Sequence, residues 1–130
     1  CEASIRKLII NLETAKDKLI VNADSGQLKQ VFLNITRNAF DALPVGGELF
    51  IQSSKDKQQG IAQVVFRDTG IGMDKKTIAN MFNPFFTTKD SGTGLGMFIS
   101  KKIIDNHGGH IEIQSKPGKG ATVTVTLPVA

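Results

Sequence analysis

The chain has 130 residues, 40% of them hydrophobic and 22% charged, enough for one domain with a real core and too few for two comfortable ones. A net charge of +4 favours anionic partners, but the basic residues are dispersed and Trp and Tyr are absent, so no nucleic-acid surface is expected. No apolar run nears the roughly 20 residues of a membrane span, no signal-peptide pattern opens the chain, and the single Cys1 excludes an internal disulfide and fits a reducing, cytoplasmic setting.

Residues 5–12 and 19–21 have the β-branched content of strands. "ADSGQ" offers Asp24 or Ser25 as a helix N-cap, and helical spacing runs from there to Leu43, where Pro44 and the pair Gly46–Gly47 end it. On this helix Leu28, Phe32, Ile35, Ala39 and Ala42 share one face, expected to lie on a sheet. Asn34, Asn38 and Asp41 form a second, polar stripe with Val31 at its edge. Such residues are mediocre helix formers, because their short side chains compete for backbone hydrogen bonds, and three in one stripe need a reason.

"ELFIQSS" and "IAQVVFRD" predict a hairpin joined by the polar "KDKQQG". A short helix is expected over "DKKTIANMF", then an irregular glycine-bearing loop over 83–94, then a third helix over about 95–107 stopped by Gly108 and Gly109. "HIEIQS" and "ATVTVTLP" finish the chain as strands, and the strict Val/Thr alternation of the last predicts one apolar and one water-tolerant face. The pattern is that of a two-layer α+β sandwich, with helices on one face of the sheet.

Two glycine motifs carry chemistry. In "RDTGIGM", Asp68 stands where a strand stops, followed by Gly70 and Gly72, which let a flat ligand approach the backbone. A carboxylate on such a floor accepts hydrogen bonds from an exocyclic amine such as N6 of adenine. In "SGTGLGMFISKKI", Gly92, Gly94 and Gly96 precede a helix whose free N–H groups and dipole suit phosphate. Phe82, Phe85 and Phe86 would anchor that loop, with Lys89 at its tip where a terminal phosphate could lie.

In order, "NITRNAFDA", "DTGIGM", "FNPFF" and "GTGLGM" resemble the N, G1, F and G2 boxes of the ATP-binding catalytic domain of two-component sensor histidine kinases, over about residues 20–127. The resemblance implies the Bergerat fold shared with DNA gyrase, MutL-type and heat-shock chaperone ATPases, a two-layer sandwich on a mixed, mostly antiparallel sheet. It implies ATP as substrate and Mg²⁺ as cofactor, with Asn38 as the metal ligand and Asn34 near the phosphates. Asp68 would take the adenine amine, and Gly70 and Gly72 would allow the close backbone approach. Gly92, Thr93, Gly94, Leu95 and Gly96 would fold over the phosphates, with Met97 helping to anchor them.

Asn34 separates this chain from the hydrolytic members, which carry glutamate at the matching position. An amide cannot accept a proton at neutral pH, so a gyrase-like ATPase module is the disfavoured alternative. Where many sensor kinases have a basic residue, this chain has Asp41, which leaves phosphate neutralisation to Lys89 or Arg37. Ala121 stands where relatives often have a purine-contacting threonine; Thr122 is the neighbouring candidate, although strand alternation turns it to the other face. Asn34 and Lys89 are the candidate catalytic residues.

The phosphoacceptor histidine of the family sits on a separate helical dimerisation domain, and His107 and His110 do not resemble its motif. Residues 1–130 are thus expected to be one catalytic domain cut from a longer kinase. The expected partners are that histidine-bearing domain and a response-regulator receiver domain. The isolated domain is expected to be a monomer and its parent a homodimer.

Overall fold

A computed structural model describes residues 9–13, 25–43, 47–56, 58–83 and 96–128. The elements are β1 (Ile9–Glu13), α1 (Ser25–Ala42), β2 (Glu48–Asp56), β3 (Ile61–Asp68), α2 (Lys75–Asn80), α3 (Gly96–Asn106), β4 (His110–Ser115) and β5 (Ala121–Pro128). The expected third helix thus agrees to one residue at each end, whereas the segment 19–21 lies outside the described residues. β2 runs two residues past its expected end. The Asp56 carboxylate accepts from the N–H groups of Gln58 and Gln59, and Gly60 at φ 66° completes a tighter turn than "KDKQQG" suggests.

The sheet order is β1-β2-β3-β5-β4, with β1 parallel to β2 and the other pairings antiparallel. This is the mixed, mostly antiparallel sheet of the expectation. Directly paired residues share a face, so the register builds rows across the inner surface. One row carries Leu49, Asp68, Ala121 and Ser115. The next carries Ile51, Phe66, Val123 and Ile113, and a third has Ser53, Val64, Val125 and Ile111. The outer face runs through Phe50, Arg67, Thr122 and Gln114, with the Arg67 guanidinium 4.4 Å from the Phe50 ring centroid.

α1 and α3 pack together over the inner face. Ile35, Leu43, Leu49, Ile104, Val31 and Val125 are sealed from solvent between the layers, and Phe32 meets Phe66 with ring centroids 5.9 Å apart. Val31 corrects the helical-wheel reading. Helical spacing sets it at the edge of a polar stripe, yet it is 0% exposed, because α1 is covered on two sides, by the sheet and by α3. A single amphipathic stripe describes a helix with one neighbour, and α1 has two.

The helix ends follow from local chemistry. Asp74 caps α2, its carboxylate accepting from Thr77 N–H at 2.8 Å. α3 stops where Gly108 adopts φ 76° and the Gly109 N–H returns to Ile104 O at 3.0 Å, the glycine-terminated stop that the sequence predicted.

Candidate functional site

Between α1, the inner sheet face and the turn after β3 lies a cavity of ≈ 440 Å³. Its walls are largely apolar: Ile35 and Ala39 from α1, Phe66, Val123 and Ile113 from the sheet, Met97 from α3. Asn38, Asp68, Asp74 and Thr77 supply the polar side chains. A mostly apolar cleft with few polar groups suits a flat aromatic ligand that must be oriented as well as buried.

Asp68 is 7% exposed although it is ionisable, and its two oxygens are in different circumstances. Oδ1 accepts from Gly70 N–H at 2.9 Å and from Ala121 N–H at 3.2 Å. Oδ2 has no hydrogen-bond partner among the described residues. The carboxylate is therefore fixed by one oxygen and presents the other as an acceptor at a cleft wall. Burial pushes its pKa above the ordinary aspartate value, opposed by the two backbone donors.

The sign of that shift gives a pH prediction. Recognition of an amine donor needs the ionised form, so affinity for an adenine nucleotide should fall as pH drops through the raised pKa, at a higher pH than an ordinary aspartate would cause. For the empty protein the sign is opposite. Folding favours the neutral carboxyl, so this residue costs stability above the raised pKa and the cost is relieved as pH falls through it. Calorimetric titration of ADP from neutral pH downwards, with Asp68→Asn as the non-titrating control, checks the first statement.

The turn that carries the glycines is braced by the β4–β5 connection. Gly118 N–H donates to Ile71 O at 2.7 Å, and Met73 N–H donates to the Ser115 hydroxyl at 2.8 Å. That hydroxyl donates in turn to Gly120 O. Thr69 continues the β2–β3 ladder past Asp68, its N–H bonded to Glu48 O and its hydroxyl accepting from Glu48 N–H. Gly72 lines the cleft at φ 72°. Gly70 is not left-handed; its contribution is the N–H that holds Asp68.

The two asparagines part company. Asn38 is half-buried and lines the cleft. Asn34, one turn earlier, is outside the lining and donates through Nδ2 to Gly96 O at 3.2 Å and to the Ser100 hydroxyl at 3.1 Å. Thr122 belongs to the outer row with Arg67, as strand alternation implies, while its neighbour Ala121 faces the cleft, so Thr122 is outside the cleft lining. Arg37 is exposed. Lys89, Gly92, Thr93, Gly94 and Leu95 lie outside the described residues, as do Phe85, Phe86 and the Asp41 side chain.

His107 caps its own helix, with Nδ1 2.7 Å from Ile103 O, and His110 is exposed 3.5 Å from Glu112. Among the described residues no cluster of three or more His, Cys, Asp or Glu side chains could cage a metal ion. Met73, Thr77, Met81 and Pro117 line the cleft unforeseen, as does Ser115 in its bracing role. Met73 closes the G1 motif and Thr77 follows it four residues later; Ser115 reaches the site through sheet pairing, and Pro117 through the connection after it, which no local pattern encodes.

An acid held by backbone donors at the end of an inner sheet row, opposite an amide on a covering helix, is the arrangement of a Bergerat-type ATP-binding domain. Residues 23–130 match the family described as histidine kinase-, DNA gyrase B- and HSP90-like ATPase, and the chain belongs to that family.

Its relatives are sensor kinases. It is 38% identical over 128 residues to sporulation kinase E of Bacillus subtilis (strain 168), covering 98% of this chain and 17% of that protein. It is 47% identical over 111 residues to the signal transduction histidine-protein kinase AtoS of Escherichia coli (strain K12), covering 84% of this chain and 18% of that protein. The chain thus spans under a fifth of the length of these relatives. Among solved structures, the catalytic domain of histidine kinase ThkA superposes with a TM-score of 0.86 at 32% identity, covering 98% of this chain and 82% of that one. Full-length ShkA in complex with AMPPNP superposes with a TM-score of 0.88 at 26% identity, covering 99% of this chain and 27% of that one.

Proposed function

We propose that the chain binds Mg-ATP and donates the γ-phosphoryl group to a histidine on a separate helical dimerisation domain of its parent protein, from which phosphate passes to a response-regulator aspartate. The observation that carries the nucleotide reading is Asp68, with Oδ1 saturated by the Gly70 and Ala121 N–H groups and Oδ2 left as an acceptor for the adenine amine. Asn38 fits a Mg²⁺ ligand, since an amide oxygen is a hard neutral donor and the ion keeps several waters and the substrate phosphates besides. Bound there, Mg²⁺ would neutralise charge on the triphosphate. On this reading Gly92, Thr93, Gly94 and Leu95 fold over the phosphates, as their motif implies, and Lys89 or Arg37 neutralises the terminal one.

The chemistry asked of the protein is mostly positioning. A neutral imidazole already offers a lone pair at pH 7. Its nitrogen forms the new bond to phosphorus as the bond to the β-phosphate oxygen breaks, and ADP leaves. No general base is needed, in keeping with an amide at position 34 whose two N–H groups are both committed. That observation disfavours the gyrase-like alternative, in which hydrolysis drives a conformational change. We further propose that residues 1–130 form one domain of a longer cytoplasm-facing kinase, monomeric when isolated and dimeric in its parent. Among the described residues no helix is long and apolar enough to cross a membrane.

Mixing the chain with a matching histidine-bearing helical domain and γ-labelled ATP tests the transfer. Acid-labile label on the histidine is the expected result. Brisk hydrolysis by the chain alone, with no label transferred, sinks the reading. Asn38→Ala should abolish most of the Mg²⁺-dependent part of ATP affinity, about tenfold for one lost ligand contact, while leaving the metal-independent part intact.

A further inference from the structure

Asn34 carries an inference of its own, resting on the reading of the cleft as the nucleotide site. We propose that Asn34 is a positioning residue: its amide latches the first turn of α3 to α1 and thereby sets the spacing of two cleft walls.

The geometry is a closed triangle. Asn34 Nδ2 donates to Gly96 O at 3.2 Å and to Ser100 Oγ at 3.1 Å, and Ser100 Oγ donates to Gly96 O at 2.8 Å. Ser100 is 0% exposed, so its hydroxyl has no water to fall back on if Asn34 is removed. Gly96 sits against the amide itself, and a Cβ there would lie 3.6 Å from Asn34 Cγ, in ordinary contact. Gly96 opens α3 and is followed directly by Met97, which lines the cleft; Asn34 lies one turn before Asn38, which lines it from the other side. Two hydrogen bonds between the helices thus fix the Met97 wall against the Asn38 wall.

The triangle requires a side chain that donates twice. Glutamine is too long by a methylene, and an ionised aspartate, the same shape as asparagine, would set a negative oxygen against Gly96 O. A neutral aspartic acid could restore one donor. Burial beside a carbonyl raises the pKa of such an acid, so the neutral form persists to higher pH than for an ordinary aspartate.

The described charged groups of α1 and α3 do not bond to Asn34. Lys29 and Arg37 are exposed, Lys101 is paired with Asp105 at 3.0 Å, and Lys102 lies 5.3 Å from the Phe98 ring centroid. On the sheet beneath, Asp68 keeps its own backbone partners.

The test uses Asn34→Asp, Asn34→Ala, Ser100→Ala and the last two combined. Relative to wild type at the same pH, Asn34→Asp should weaken Mg-ATP binding about tenfold near pH 8 and recover to about twofold near pH 5.5. Asn34→Ala should show a loss without the recovery. Without nucleotide, the melting temperatures of Asn34→Ala, Ser100→Ala and the double variant form a cycle, and the double variant should melt no lower than the worse single. Asn34→Asp tracking wild type at every pH, or strictly additive melting shifts, overturns the latch. Failure of the wild type to bind ATP overturns the nucleotide reading, while the melting cycle still decides whether the latch exists.

Discussion

Asp68→Asn is expected to weaken ATP binding about a hundredfold, with or without Mg²⁺, while the protein stays folded. The variant separates recognition from scaffolding because the two carboxylate oxygens have separate partners. An asparagine Oδ1 can still accept from Gly70 and Ala121, so the turn after β3 keeps its anchor. Its Nδ2 then stands where Oδ2 stood and presents donors to the adenine amine, itself a donor. The loss is that of one hydrogen bond to a charged group, roughly 1.5–3 kcal/mol, and about 1.4 kcal/mol is a factor of ten. Asp68→Ala should do worse. It also leaves two buried N–H groups unpaired, each costing about 1–3 kcal/mol, so stability should fall along with affinity. Calorimetry for binding and thermal melting for stability read the two effects separately, and normal affinity in Asp68→Asn would remove the acceptor from the account.

Gly72→Ala is expected to destabilise the protein by about 3 kcal/mol or more and to lower nucleotide affinity with it. Two costs add. Gly72 has φ 72°, where an L-residue pays roughly 1–2 kcal/mol. A Cβ built there would also meet Lys116 O at 2.0 Å, a backbone carbonyl of the neighbouring connection that has no rotamer to move to. Relief would require separating the G1 turn from the β4–β5 connection, and that breaks the Gly118–Ile71 and Met73–Ser115 hydrogen bonds that shape the cleft wall. Gly118→Ala is the matched control. Its φ of 75° is as left-handed, but nothing beyond its chain neighbours lies within 4 Å of its Cβ position, so only the same conformational cost of roughly 1–2 kcal/mol should appear. For a domain of this size each kcal/mol lowers the melting temperature by roughly 2–8 °C, so the two variants should be well separated. Equal melting shifts would mean that the close approach to Lys116 carries no weight.

These predictions also mark where sequence reading succeeds. Helix α3 was legible to within a residue because its stop is local: two glycines, one at φ 76°, and a hydrogen bond back over five residues. The inward Val and outward Thr positions of β5 were legible because side chains alternate with period two whatever the strand pairs with. The same rule removes Thr122 from the cleft. Val31 was misplaced because a wheel knows one helix, and α1 is packed by a second helix that begins some fifty residues after it ends.

The sequence by itself determined the class of this domain, since four motifs in order name the family and each motif states its chemistry locally: an acid at a strand end, glycines in turns, amides on a helix. Tertiary structure alone decided the division of labour among those residues. Sheet register puts Asp68 beside Ala121 and in line with Ser115, and helix packing hands Asn34 to Gly96 and Ser100 while leaving Asn38 in the cleft. The physical reason is that a hydrogen-bond partner more than fifty residues away leaves no periodicity in the chain. It exists only when burial has brought the two surfaces together and made an unpaired polar atom costly.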